Sequence, residues 1–347
     1  MRCSSGVVPV HHRISKKPDV SIIEIARRAG VSTATVSRVI NDSLVVRPET
    51  RERVQAVIAE LGYRANFLGR SLRTAQSRLL LTMVPDFGNP FYAEIVRGID
   101  SVARVEGYHV LLCDTSSGMS ADRTYFDLLR NRQADGAICL DPDTIQQKLR
   151  SETGELCWVA CCEFDPNGDV PYVGIDNAKA AFDAVTHLAG RGRRRIALLN
   201  SDERFLYSRQ RRQGYFDALR AAGLEPLIGG DLTANGLTYD VGRQAITAMW
   251  ASGVRPDAIF AVSDTLAIGA MHGLRDIGLT VPDDVAVMGF DNIQLCTMVQ
   301  PELSTVAQPM HELGVTAAKL LMQRMRQPEA EVDGVILGHE LVIRGST

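Results

Sequence analysis

Two hydrophobic rhythms divide the chain. From Ser21 to Gly62, apolar residues recur at three- and four-residue spacing, the period of helices that bury one face. From about residue 77 onward, short apolar runs rich in Val, Ile and Leu alternate with longer helical patterns. The first rhythm predicts a small all-α module. The second predicts a parallel sheet covered by helices, because a strand buried on both faces reads as a continuous apolar run.

Within VSIIEIARRAGVSTATVSRVIND, Ser21 is a plausible N-cap, with Glu24 completing a capping box. Ile22, Ile25, Ala26 and Ala29 share one face, and Gly30 can take the left-handed conformation that ends the helix. Ser32 caps a second helix that turns Val36, Val39 and Ile40 inward and leaves Thr33, Ala34, Ser37 and Arg38 outside. A third helix follows in RPETRERVQAVIAELGY, opened by Pro48 and stopped by Gly62. Arg51 and Arg53 near its start suit phosphate contacts.

Charge sharpens this picture. Residues 1–78 carry a balance of +8, the rest −11, for a net −3 over 347 residues. A basic module on an acidic body points to a polyanion partner for the module alone; a basic face that merely meets solvent is the other reading. The outward face of the second helix combines small groups, which allow close approach, with one arginine. Arginine matches the two major-groove acceptors of guanine, and a threonine or alanine methyl matches thymine. The segment YRANFLGRSLRTAQS is basic and too short for a stable lone helix. It reads either as a plain linker or as a hinge that orders on contact, with Leu72 as a minor-groove wedge.

The body runs strand RLLLTMVP, helix PFYAEIVRGIDSVARVEGY, strand HVLLCDT, helix TYFDLLRNR and strand GAICLD. A second set follows WVACCEF: VGIDNAKAAFDAVTHLAGRG, strand RIALLN, helix RQRRQGYFDALRAAG, then strands IFAVS and VAVMGFDN. Two α/β lobes imply a cleft, and ligands of open sheets gather at the carboxyl ends of strands. The candidates there are Asp86, Asn89, Phe91, Tyr92, Glu163, Arg211, Asp264, Asp291 and Gln308. Carboxylates, amides and a guanidinium beside aromatic faces suit a polyhydroxylated ring. An aspartate opening a helix, such as Asp264, can equally be a cap.

Other classes find little support. The seven cysteines form no CxxC pair, and LCWVACCEF reads as a buried strand without zinc spacing, so reduced thiols and no metal are expected. No GxSxG, P-loop or strand-linked GxGxxG occurs, and no cofactor or enzyme activity is expected. No window of about 18 apolar residues suggests a membrane span, and residues 1–19 lack a signal-peptide core and read as a disordered extension whose start codon is open to question.

The stretches AGVSTATVSRVIN, TRERV, ELGY and RSLR, in that order, resemble the DNA-binding headpiece of the lactose/galactose repressor family. NPFYAEIVRGI, RRQGY, VSDTLAIGA, GLTVPDDVAVMGFDN and LSTVAQP resemble its effector domain and the related periplasmic pentose-binding proteins. Ser263-Asp264 departs from the Asn-Asp pair of some of those sugar binders.

The resemblance implies an N-terminal all-α helix-turn-helix headpiece plus a two-lobed α/β periplasmic-binding-protein-like effector domain with parallel sheets and Rossmann-like lobes. Its divisions would be residues 20–64 for the headpiece, 65–76 for a hinge helix or linker, and 77–347 for effector binding and dimerisation. The first lobe would take about 77–174 and 305–330, the second about 175–304 and 331–347. Thr33, Ala34 and Arg38 would read bases, Asn41 would touch backbone, and Leu72 and Arg73 would enter the minor groove. Ser21, Ser32, Thr35, Ser37, Arg51, Tyr63 and Asn66 complete the DNA-facing set. Asn89, Phe91 and Tyr92 would line the cleft from the first lobe, Arg211 and Asp291 would bind hydroxyls from the second, and Gln308 holds the place of a cleft glutamine. The expected protein is a cytoplasmic, nucleoid-associated homodimeric repressor whose hold on double-stranded operator DNA is switched by a sugar or nucleoside. With no leucine heptad before the terminal RGST, no tetramerisation coil is expected. The alternative is a solute-binding receptor for transport.

Overall fold

A computed structural model describes residues 21–40, 45–63, 76–116, 119–140, 156–330 and 333–347, which fall into two compact units, 1–75 and 76–347. Asn41, Asn66, Leu72 and Arg73 of the expected DNA-facing set lie outside the described residues.

The first unit is three helices, α1 (Ile22–Ala29), α2 (Thr33–Ile40) and α3 (Pro48–Leu61). Ser21 Oγ accepts the Glu24 N–H at 3.3 Å, and Gly30 ends α1 at φ 63°. Only half of the expected capping box forms, because the Glu24 carboxylate turns to Arg27 and Arg28 instead. Those bonds hold its carboxyl down, to about 2. Ile25, Ala26, Ala29, Val36, Val39 and Val54 are the buried centre. With α2 only eight residues long, this packing supplies what helix propensity cannot.

In the second unit, strands β1 (Leu79–Val84), β2 (His109–Asp114), β3 (Gly136–Cys139), β4 (Trp158–Cys161), β5 (Tyr172–Ile175) and β11 (Val335–Leu337) form one sheet in the order β11-β5-β4-β3-β1-β2. A second sheet, ordered β12-β10-β9-β8-β6-β7, joins β6 (Ile196–Asn200), β7 (Asp231–Thr233), β8 (Ala258–Ala261), β9 (Ala286–Asp291), β10 (Ser304–Ala307) and β12 (Glu340–Val342). All pairings are parallel except β10 with β12.

The helices are α4 (Pro90–Val105), α5 (Met119–Arg130), α6 (Asn177–Gly190), α7 (Leu206–Ala221), α8 (Tyr239–Ala251), α9 (Asp264–Asp276) and α10 (Met310–Arg326). Helix α4 packs on α10, α6 on α7 and α8 on α9. At the α4–α10 crossing Gly98 and Gly314 face each other so closely that a Cβ on either would overlap the other helix's backbone.

The chain crosses between lobes three times: after β5, after β10, and between β11 and β12. This corrects the expected lobe boundaries. Strand β10 lies wholly in the second sheet, so the return crossing follows Ala307, and residues 335–337 belong to the first lobe. Three-residue edge strands such as β7, β11 and β12 join by backbone bonds and carry no side-chain rhythm to announce them.

Candidate functional site

On α2, the Thr33, Ala34 and Arg38 side chains are exposed, and Arg38 makes no ion pair with the described residues. Ser37 and Arg51 are half-buried. The remaining described members of the set have local work: Ser21 caps α1, Ser32 Oγ accepts the Thr35 N–H at 3.1 Å and meets Thr35 Oγ1 at 2.9 Å, and Tyr63 packs against the module's core. A short helix that exposes one arginine among small side chains is a shape that can approach base edges.

Between the lobes of the second unit lies a cavity of about 390 Å³. Eight of the nine predicted residues line it: Asp86, Asn89, Phe91, Tyr92, Glu163, Arg211, Asp291 and Gln308. Asn89 caps α4, accepting the Phe91 N–H at 3.1 Å, and so stands at the carboxyl end of β1. Phe91 and Tyr92 meet edge to face, with centroids 5.2 Å apart. Glu163, just past β4, reaches across the cleft: its two oxygens accept the Leu206 and Tyr207 N–H groups at 2.7 and 2.8 Å. It thereby caps α7, whose own N-cap residue Phe205 offers no side-chain acceptor.

Arg211 lies one turn inside α7 and is buried. Its Nε donates to Asn177 Oδ1 at 2.9 Å, its Nη1 donates to the Val262 carbonyl at 2.5 Å, and its guanidinium carbon is 3.5 Å from the Phe290 ring centre. Asp291 Oδ1 stands 4.0 Å from Nη1 and accepts from Gln308 Nε2 at 2.7 Å. Burial pushes the Asp291 carboxyl up, to about 8, while Arg211 opposes the rise. Asp291 and Asn292 sit at φ 121° and 61°, a turn held by Arg344 on Asn292 Oδ1 at 2.7 Å. Backbone outliers of this kind mark sites where a side chain is being aimed.

Asp264 is the exception. It does not line the cavity, nor does it cap α9, because Ser263 accepts the Leu266 N–H. Fully buried, it accepts Thr305 Oγ1 at 2.6 Å and the Ile293 N–H at 2.9 Å, and so buttresses the turn that follows Asp291.

Tyr207 and Asn177 line the cavity but were missed from sequence. Tyr207 could have been found, since it precedes Arg211 by one helical turn and carries the guanidinium over its ring at 4.8 Å. Asn177 follows a strand whose chain leaves for the other lobe, which no local signal announces. Thr115 Oγ1, also on the lining, is buried without a hydrogen-bond partner among the described residues.

Residues 21–66 match the family described as bacterial regulatory proteins, lacI family, and residues 185–347 match the periplasmic binding protein-like domain. Catabolite control protein A of Priestia megaterium is 34 % identical over 95 % of this chain and 99 % of its own length. The chain belongs to the lacI family. The HTH-type transcriptional repressor CytR of Escherichia coli K12 is 36 % identical, over 93 % of this chain and 95 % of its own. Among solved structures, the lac repressor dimer bound to operator and the anti-inducer ONPF superposes with a TM-score of 0.86 at 27 % identity, covering 94 % of this chain and 98 % of that one. As a lacI-family protein the chain is a DNA-binding transcription regulator with a ligand-binding effector domain, and the transport-receptor alternative is not favoured. Among the described residues no helix is long and apolar enough to cross a membrane, and no group of three His, Cys, Asp or Glu could hold a metal ion.

Proposed function

We propose that this regulator is a cytoplasmic homodimeric repressor whose α2 face reads operator bases and whose cavity takes an uncharged sugar or nucleoside. The observation that carries the ligand class is the commitment of Arg211. Its Nε and Nη1 already donate to the Asn177 amide oxygen and the Val262 carbonyl, so the bidentate fork that suits a phosphate is broken up, while single N–H groups remain for a hydroxyl. Arg204 at the rim is paired with Asp202 at 3.4 Å, and the carboxylates of Asp86 and Glu163 add negative charge to the lining. A neutral ring is favoured: hydroxyls between Arg211, Asp291 and Asn89, and a face against Phe91 or Tyr92.

Effector binding would act by linkage. A ligand that favours one arrangement of the two lobes changes operator affinity only by its differential affinity for the two states. A thermal-shift screen against nucleosides, pentoses, hexoses, disaccharides and their phosphates tests the reading. A neutral ring that raises the melting point and alters operator retention in a gel shift is expected. If only phosphorylated compounds stabilise the protein, the assignment of Arg211 is wrong.

A further inference from the structure

Cys161 ends β4, Cys162 follows it on the cavity wall, and their sulfurs are 3.7 Å apart. Neighbouring residues of a strand point to opposite faces, so adjacent cysteines ordinarily hold their thiols apart. Here Cys162 adopts φ 72°, a left-handed conformation costly for a residue with a Cβ, and this turn brings both sulfurs to one side. Its N–H is tied to the Val173 carbonyl at 2.8 Å, which fixes the turn. Cys161 is fully buried, whereas Cys162 is half-buried and lines the cavity. One thiol is reachable from the cleft, and the other waits behind it.

We propose that Cys161 and Cys162 are a reversible redox pair, closed to a disulfide by hydrogen peroxide entering the cavity. The Cys162 sulfur attacks the peroxide O–O bond: an S–O bond forms, the O–O bond breaks, and the thiol proton leaves with the expelled oxygen as water. The Cys161 sulfur then displaces hydroxide from the sulfenic sulfur, forming the S–S bond, and its own proton leaves with that hydroxide as a second water. Two electrons pass from the sulfurs to the peroxide, so the step balances. Adjacent Cα atoms lie about 3.8 Å apart across a trans peptide. That is below the usual disulfide span of roughly 4.4–6.8 Å, so the ring would be strained and easily reduced again. The Cys161 hydrogen bond and burial hold the Cys162 proton on well above the ordinary thiol range, so closure would be slow at neutral pH and faster in alkali.

Closure would move the residue next to Cys162. Glu163 is the acceptor that caps α7 from across the cleft, so pulling the two sulfurs together disturbs the Leu206 and Tyr207 amides. The pair would therefore report oxidant to the element that carries Arg211. This goes beyond the effector reading, and neither readout below uses an effector, so the two proposals fail separately.

The test treats the reduced full-length protein with hydrogen peroxide, traps free thiols with N-ethylmaleimide and maps peptides by tandem mass spectrometry. A peptide that has lost two hydrogens, bridged between Cys161 and Cys162 and restored by dithiothreitol, is expected. Amide exchange at Leu206 and Tyr207 in the oxidised protein should be roughly tenfold faster, as befits loss of a charge-assisted hydrogen bond. Cys161→Ala and Cys162→Ala should each abolish both effects. The wild-type mapping decides the matter even if a variant fails to fold. Maleimide on both sulfurs, a bridge to Cys157, irreversible sulfinic acid, or unchanged exchange in the bridged protein would each overturn the proposal.

Discussion

Arg211 Nη1 and Asp291 Oδ1 stand 4.0 Å apart in the cleft wall, both nearly out of water, with no hydrogen bond joining them. Gln308 holds the carboxylate from one side, while Phe290 and the Val262 carbonyl hold the guanidinium from the other. The pair is thus positioned by its neighbours, and a ligand hydroxyl can bridge it. Arg211→Ala and Asp291→Asn are each expected to weaken effector binding about 10- to 100-fold, the range for lost hydrogen bonds to charged groups. Operator binding without effector should remain. A reporter dose curve checks this: two variants responding at the wild-type effector concentration would sink the assignment.

The same carboxyl gives the protein a pH dependence. In the unfolded chain Asp291 ionises near the ordinary aspartate value; in the folded protein burial raises it to about 8. Between those values the folded state binds the extra proton. The contribution is therefore fully present below the unfolded pKa and is lost as pH rises through the folded one. Asp291→Asn removes this loss. Relative to wild type, the variant should gain melting temperature between about pH 5 and about pH 8 and level off above that. Parallel thermal melts across that window would show it, and a constant difference would mean that Arg211 keeps Asp291 ionised throughout.

For the headpiece, exposed Arg38 and Arg53 separate two kinds of DNA contact. Arg38→Ala is expected to cost about 1–3 kcal/mol on operator and little on scrambled duplex, because it removes a base reader. Arg53→Ala should weaken both duplexes alike and reduce the salt slope by about one. Gel shifts at two salt concentrations distinguish them. Equal losses from Arg38→Ala on both duplexes would place that arginine on the phosphates.

Much of this was legible in the residues, for physical reasons. Gly30 and Gly62 stop their helices at left-handed φ as their positions implied, and the apolar runs of β1, β6 and β9 announced parallel sheets. Asn89, Glu163, Asp291 and Gln308 were found because they stand at or just past the carboxyl ends of strands, a topological rule that needs no coordinates. Asp264 obeys the same rule and still turned away from the cavity. Its role is set by Thr305 and Ile293, which come from strands and turns far along the chain. Helix α7 begins at Leu206, five residues before Arg211, because a carboxylate from the opposite lobe caps it. Long-range partners of this kind leave no mark on local periodicity.

Asp264 supplies the sharpest separation of structural from ligand-facing carboxylates. Removing it by Asp264→Ala would leave the buried Ile293 N–H without its acceptor and the Thr305 hydroxyl donating only weakly, at 3.4 Å, to the Val306 carbonyl. An orphaned buried donor costs about 1–3 kcal/mol, and the small void left by the carboxylate adds to that. For a domain of this size the melting temperature should fall by roughly 5 °C or more. Asp291→Asn, which keeps an oxygen for Gln308 and removes a charge that burial disfavours, should show no such fall near neutral pH. Melting both variants side by side decides the point: if Asp264→Ala melts with wild type, the buttress beneath the Asp291 turn is not holding it.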